Sequence, residues 1–179
     1  MDLRTQKVYD ALIEAFQQLL TEKPFEDITV NELCDRARTR RATFYKHFSD
    51  KYDFFQFMLR QLRDDLMRET KKRAVVDTPQ EYLHMFVDIG LSFVEKHRKF
   101  LMSVKDSAVA GQMMQTITDQ GFREQHFEYL LEDELAVQFL VGGLNQCVRW
   151  WLSNMNRASK EDMQKTMYAL VDKYTLAVQ

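Results

Sequence analysis

The chain has 179 residues, 45% of them apolar and 29% charged, with a net charge of −2 and an isoelectric point of about 6.1. This composition excludes a disordered chain, and near-neutrality excludes a uniformly basic nucleic-acid coat. Five glycines and two prolines leave little punctuation for a sheet protein, so the fold is read as all-α.

The first helix is predicted from about Arg4 to Thr21, with Val8, Leu12, Phe16, Leu19 and Leu20 facing inward and Pro24 following it. Val30, Leu33, Cys34 and Ala37 then recur at helical spacing. Thr29 stands before them as an N-cap, and Glu32 three residues on completes a capping-box pattern. After a tight turn, a further helix is predicted from about Arg40 to Phe48. Phe44 and Phe48, four apart, share the face that anchors it to the core. Ala42, Thr43 and Lys46 project from roughly the opposite side, flanked by Tyr45 and His47. That outer face is small, hydroxylated, aromatic and cationic, which suits base edges, thymine methyls and phosphates. Arg36, Arg38, Arg40, Arg41 and Lys46 place five cations in eleven residues, with no carboxylate from Arg36 until Asp50. A focused basic patch on a neutral body is what a site-specific DNA binder needs.

A long helix is predicted from Lys51 to about Arg73, apolar at its start and charged at its end. The basic close, Lys71, Lys72 and Arg73, suits a helix C-terminus. Thr78 caps another helix that Pro79 opens, running to about His97 with Tyr82, Met85, Phe86, Ile89 and Phe93 on one face. RKFLMSVKDS is expected to be a short connector, and the stretch to about Tyr129 to be less regular, interrupted by Gly111 and Gly121.

The penultimate helix, about Glu132–Asn154, is apolar nearly all round, so it is either buried on both sides or in a membrane. Gln138, Asn145, Gln146 and Arg149 argue against the membrane. The last helix, about Ser159–Ala177, is capped by Ser159 with Asp162 three residues on. It carries Met163, Met167, Leu170, Val171, Tyr174 and Val178 in one stripe. Two apolar helices at the chain end, with Gly142 and Gly143 for close approach, suggest a dimer seam; the alternative is that the stripes only close the chain's own core. Ten methionines and thirteen phenylalanines, most of them between Phe54 and Phe139, either line an adaptable apolar cavity or make plain core.

No catalytic pattern emerges. A glycine-rich phosphate loop, G-x-S-x-G and H-E-x-x-H are all missing. His84, His97 and His126 are scattered without metal-site partners, and Glu132, Asp133 and Glu134 read as partners of a helix dipole. Neither an enzyme nor a cofactor is expected. Cys34 and Cys147 lie far apart and suit a reducing cytoplasm, and the charged start of the chain is not that of a signal peptide.

Residues 4–55 resemble the N-terminal DNA-binding domain of the tetracycline-repressor-like (TetR) regulators. The resemblance rests on RTQKVYDALIEAFQQLLTEKPFEDIT, VNELCDRA and ATFYKHFSDKYDFF, and its specific part is T-F-Y-K-H-F-x-x-K. It implies an N-terminal three-helix helix-turn-helix domain over residues 1–50, and a C-terminal helical bundle over 51–179 that senses ligand and dimerises through its last two helices. It also implies base-facing roles for Arg41, Ala42, Tyr45 and Lys46, and phosphate contacts for Thr29, Thr43, Tyr45, His47 and Lys51; Arg40 completes the candidate set. The chain departs from the family in the turn, where Arg38 replaces a glycine and Thr39 a small apolar residue.

The seam implied by the resemblance and the apolar stripes takes Leu135, Phe139, Gly142, Gly143, Gln146 and Trp150 with Met163, Met167, Leu170, Val171 and Tyr174. The implied effector pocket takes Phe57, Met58, Leu62, Met85, Phe86, Ile89, Phe93, Met113, Ile117 and Phe139. The expected protein is a cytoplasmic homodimeric repressor. It would read a palindromic double-stranded operator and be released by a small apolar or amphipathic effector. The other reading is an atypical co-regulator controlled by a protein partner, which the departures at Arg38 and Thr39 favour.

Overall fold

The computed structural model describes residues 3–72, 78–124 and 134–178, apart from the side chains at 71–72, 117–124, 134, 137 and 175–178. Expectations placed on Ile117, Phe122, His126, Phe127, Glu132, Asp133, Glu134 and Val178 lie outside the described residues or side chains. Among the described residues all regular structure is helical. In chain order the helices are α1 (Leu3–Glu22), a 3-10 turn (Phe25–Asp27), α2 (Val30–Arg36), α3 (Arg41–Tyr45), α4 (Lys51–Lys72), α5 (Pro79–Lys96), α6 (Arg98–Val104), α7 (Ala108–Glu124), α8 (Glu134–Ser153) and α9 (Lys160–Val178).

Three local expectations are corrected. The connector at 98–107 is mostly helix, because Phe100, Leu101 and Val104 fall on one face and are buried there. Gly111 and Gly121 do not interrupt α7; an interior glycine costs only about 0.5–1 kcal/mol relative to alanine, too little to break a helix by itself. Finally, α3 stops at Tyr45, and Phe48 reaches the core from the turn that follows.

The chain divides into two compact units, residues 1–62 with 99–117 and residues 63–98 with 118–179. In the first, the core is an aromatic cluster. Phe16 of α1 lies 5.5 Å from Phe54, 5.8 Å from Phe55 and 6.0 Å from Phe25, and Phe48 lies 5.1 Å from Phe54. Each ring removes a large apolar area from water, and an edge-to-face pair adds about 0.5–1.5 kcal/mol. The cluster therefore fixes α1, the turn before α2 and the exit of α3 against the start of α4.

In the second unit α5 packs with α8 and α9. Leu83, Phe86, Val87, Leu91 and Val94 of α5 are buried, as are Leu140, Leu144 and Trp151 of α8 and Met163, Met167 and Val171 of α9. A polar seam ties α5 to α9. His84 stacks on Tyr168 at 3.9 Å and meets Asp172 through Nε2 at 2.7 Å, while the Tyr168 hydroxyl donates to Asp88 at 2.6 Å. No helix of the described residues is long and apolar enough to cross a membrane.

Candidate nucleic-acid interface

The entry to α2 is built by the predicted capping box. The Glu32 backbone N–H donates to Thr29 Oγ1 at 3.3 Å, and the Thr29 N–H returns a bond to the Glu32 carboxylate at 3.0 Å. The Thr29 hydroxyl and the Lys23 ammonium also donate to that carboxylate. With Lys23 as the largest cause, these donors hold the Glu32 carboxyl at about 2, against an ordinary 4.5.

At the other end, α2 closes in a Schellman turn. Thr39 N–H bonds to Cys34 O at 2.9 Å and Arg38 N–H to Asp35 O at 3.1 Å. The residue past the cap must then be left-handed, and Arg38 takes φ 51°. The departure from glycine therefore leaves the turn in place and stores strain in it.

That turn sets α3. Phe44 is fully buried and holds the helix down, while Arg41, Ala42, Tyr45 and Lys46 are exposed and Thr43 is half-buried. The Arg41 guanidinium lies 5.9 Å from the Tyr45 ring centroid, within cation–π range. The basic patch is smaller than the sequence suggests. Arg36 forms a two-pronged pair with Glu22 of α1, at 2.7 and 2.9 Å, so one of the five cations is neutralised by a carboxylate remote in sequence. Among the described residues no ion pair holds Arg38, Arg40, Arg41 or Lys46.

Lys51 meets a geometry different from the expected phosphate contact. Its ammonium donates to the carbonyls of Phe25 at 3.1 Å, Ile28 at 2.9 Å, and Glu26. An ammonium has three donors, and all three are engaged. Burial pushes its pKa down against the opposing pull of Glu26, Asp27 and Glu32. Lys51 braces the turn that leads into α2. Asp50 meanwhile accepts the N–H groups of Tyr52 and Asp53 at 2.8 and 2.9 Å and so starts α4 immediately after α3 and the turn that follows it.

One partner of the site was missed in the sequence. Tyr9 of α1 places its hydroxyl 3.2 Å from Nδ1 of the half-buried His47. Tyr9 falls on the inward face of α1, three, seven and eleven residues before Leu12, Phe16 and Leu20, but no local pattern announces its contact with a histidine 38 residues away.

The expected effector residues are spread over both units. In the first, Phe57 packs at 4.8 Å on Tyr9 and 5.2 Å on Phe48, within the aromatic cluster. Met58 is buried there, and Leu62 and Met113 are half-buried. In the second, Phe86 and Ile89 are buried and Met85 and Phe93 half-buried. Phe139 is 72% exposed, stacked on Tyr174.

The seam residues divide sharply. Leu135, Phe139, Gly142, Gly143, Gln146 and Trp150 all lie exposed along one side of α8, joined by Leu170 of α9. A Cβ added at Gly142 or Gly143 would meet nothing within 4 Å. Met163, Met167 and Val171 are instead buried within their own chain, where they close the unit's core. The Tyr174 hydroxyl donates to the Ala136 carbonyl at 2.7 Å and likewise serves the α8–α9 packing.

Residues 12–57 match the family pattern described as bacterial regulatory proteins, tetR family. The chain is 29% identical over 143 residues to an HTH-type transcriptional regulator of Haemophilus influenzae. That alignment covers 75% of this chain and 64% of the relative's length; the matches to two Bacillus subtilis regulators cover 21% and 24% of theirs. Among solved structures, a TetR-family regulator from Syntrophomonas wolfei superposes with a TM-score of 0.72 at 13% identity, covering 98% of this chain and 96% of the other. FadR of Bacillus subtilis, in complex with stearoyl-CoA, gives 0.66 at 14% identity, covering 97% and 99%. At such identities the likeness is one of fold.

Proposed function

We propose that the chain, whose residues 12–57 match the tetR-family pattern, is a TetR-family protein and a sequence-specific DNA-binding transcriptional regulator of the bacterial cytoplasm. One observation carries the reading. The short α3, pinned by Phe44, leaves Arg41, Ala42, Tyr45 and Lys46 exposed together beside cations that have no ion-pair partner among the described residues. A helix of this size and chemistry fits a major groove, with Arg41 suited to guanine, Ala42 to a thymine methyl and Lys46 to guanine or phosphate. Thr43, His47 and Arg40 flank it as phosphate contacts. Lys51 and Thr29, already engaged, organise the approach.

The exposed face of α8 is the proposed homodimer seam, and two copies would read the half-sites of a palindrome spaced about 34–36 Å or a multiple. Selection of duplexes from a random library by the full chain, followed by binding titrations, tests this. Enriched palindromes and an Arg41→Ala variant relaxed at one base of each half-site, by about 1–3 kcal/mol, are the expected results. Equal affinity for enriched and scrambled duplexes would overturn it.

We further propose repression relieved by a small apolar or amphipathic effector in the methionine- and phenylalanine-rich body. The acyl-CoA bound by FadR is an amphipathic probe of this kind. An effector should raise the melting temperature and weaken operator binding together, because it shifts the equilibrium only by its differential affinity for two states. A panel of amphipaths that does neither would favour control by a protein partner. Against that second reading stands Arg38, which keeps the reading turn despite the lost glycine.

A further inference from the structure

His47 follows α3 directly, next to the exposed Lys46, and the two nitrogens of its ring have unlike surroundings. Nδ1 faces inward, 3.2 Å from the Tyr9 hydroxyl of α1. Nε2 has no hydrogen-bond partner among the described residues. The Tyr9 ring is held on three sides: edge-on to His47 at 5.3 Å, and against Phe48 at 5.5 Å and Phe57 at 4.8 Å. It therefore presents its hydroxyl from a fixed position.

A phosphate oxygen only accepts hydrogen bonds, so His47 can hold one only through an N–H. A neutral imidazole carries a single N–H, and which nitrogen bears it is set by the bond the other makes. With the proton on Nδ1, the outward Nε2 would present a lone pair and repel the phosphate. A hydroxyl that donates to Nδ1 forces the proton onto Nε2. We infer that Tyr9 is a positioning residue for DNA binding: its hydroxyl donates to Nδ1 of His47 and so keeps the Nε2–H aimed at the nucleic-acid backbone. Tyr9 lies 38 residues away on α1 and its hydroxyl is turned to His47, so the role assigned to it is one exerted through His47. The inference rests on the DNA-binding reading above.

Two measurements separate its failure from the failure of that reading. Long-range proton–nitrogen NMR of the free full-length chain, at a pH where the ring is shown neutral, should give the Nε2–H form of His47 in the wild type. Tyr9→Phe keeps the ring contacts and should bring in the Nδ1–H form. A wild type dominated by Nδ1–H, or identical spectra for the two proteins, overturns the inference without reference to DNA. In titrations with duplexes selected by the wild type, Tyr9→Phe should weaken binding about three- to tenfold, the worth of one hydrogen bond. In a His47→Gln background, where the amide supplies its own N–H, the same change should be silent. A loss of equal size in both backgrounds would make Tyr9 merely structural and overturn the inference. A wild type that shows the Nε2–H form yet selects no duplex would instead overturn the DNA-binding reading and the phosphate role that depends on it.

Discussion

At the residue scale, two side chains of the reading unit sit where their chemistry is under tension. Arg38 occupies a left-handed turn position at φ 51°, where a Cβ is unfavourable by about 1–2 kcal/mol. Glycine would relieve that strain and return part of the gain as unfolded-state entropy. Arg38→Gly is therefore expected to stabilise the chain by about 0.5–1 kcal/mol, seen as a melting temperature higher by a few degrees. A lower melting temperature would mean that the Arg38 side chain makes a contact outweighing the strain. Lys51 is the converse case, an ammonium whose removal takes a donor from three carbonyls and leaves only that of Phe25 with its bond from the Ile28 N–H. Lys51→Met should cost about 1–3 kcal/mol of stability and lower DNA affinity with it. A phosphate contact would behave differently, leaving the melting temperature unchanged and flattening the salt slope by about one.

At the element scale, α2 is defined by local rules and so was legible. Thr29, Glu32 and the apolar spacing lie within nine residues, and the capping box formed as expected. Its carboxylate makes a pH test. Glu32 has a folded pKa of about 2 against an ordinary 4.5, so its contribution is fully present above 4.5 and is lost as the pH falls from there toward 2. Glu32→Gln should have a lower urea midpoint than the wild type at neutral pH, and the gap should close over that acid window. A gap that persists at pH about 2 would assign the effect to packing. What was not legible was non-local. The Arg36–Glu22 pair, the Lys51 brace and the Tyr9–His47 contact each join residues 14 or more apart, and no periodicity announces them. The α8–α9 pair shows both sides of this. Their apolar character was plain, but only packing separates Met163, Met167 and Val171, which close the core, from Leu135 and Phe139, which do not. Because Gly143 has open space around it, Gly143→Leu should leave secondary structure intact and shift sedimentation toward a single chain. A variant that remains fully paired would move the seam off this face.

At the scale of the whole molecule, the proposed pairing through the exposed side of α8 would turn abundance into a control variable. Leu135 and Phe139 are 77% and 72% exposed in the single chain, so a face that pairs by burying them does so at a rate and extent set by how much chain is present. Below the pairing constant, the concentration of dimers rises with the square of the chain concentration, and a doubling of synthesis gives about a fourfold rise in the DNA-competent species. Operator occupancy plotted against total chain should then have a slope of about two on logarithmic axes at low concentration, falling to one once pairing is complete. A slope of one throughout would mean either single chains on DNA or pairing too tight to be diluted, and sedimentation at the same concentrations decides which. A cell carrying such a regulator would have a threshold in its response set by dosage of the regulator's own gene, before any effector is present.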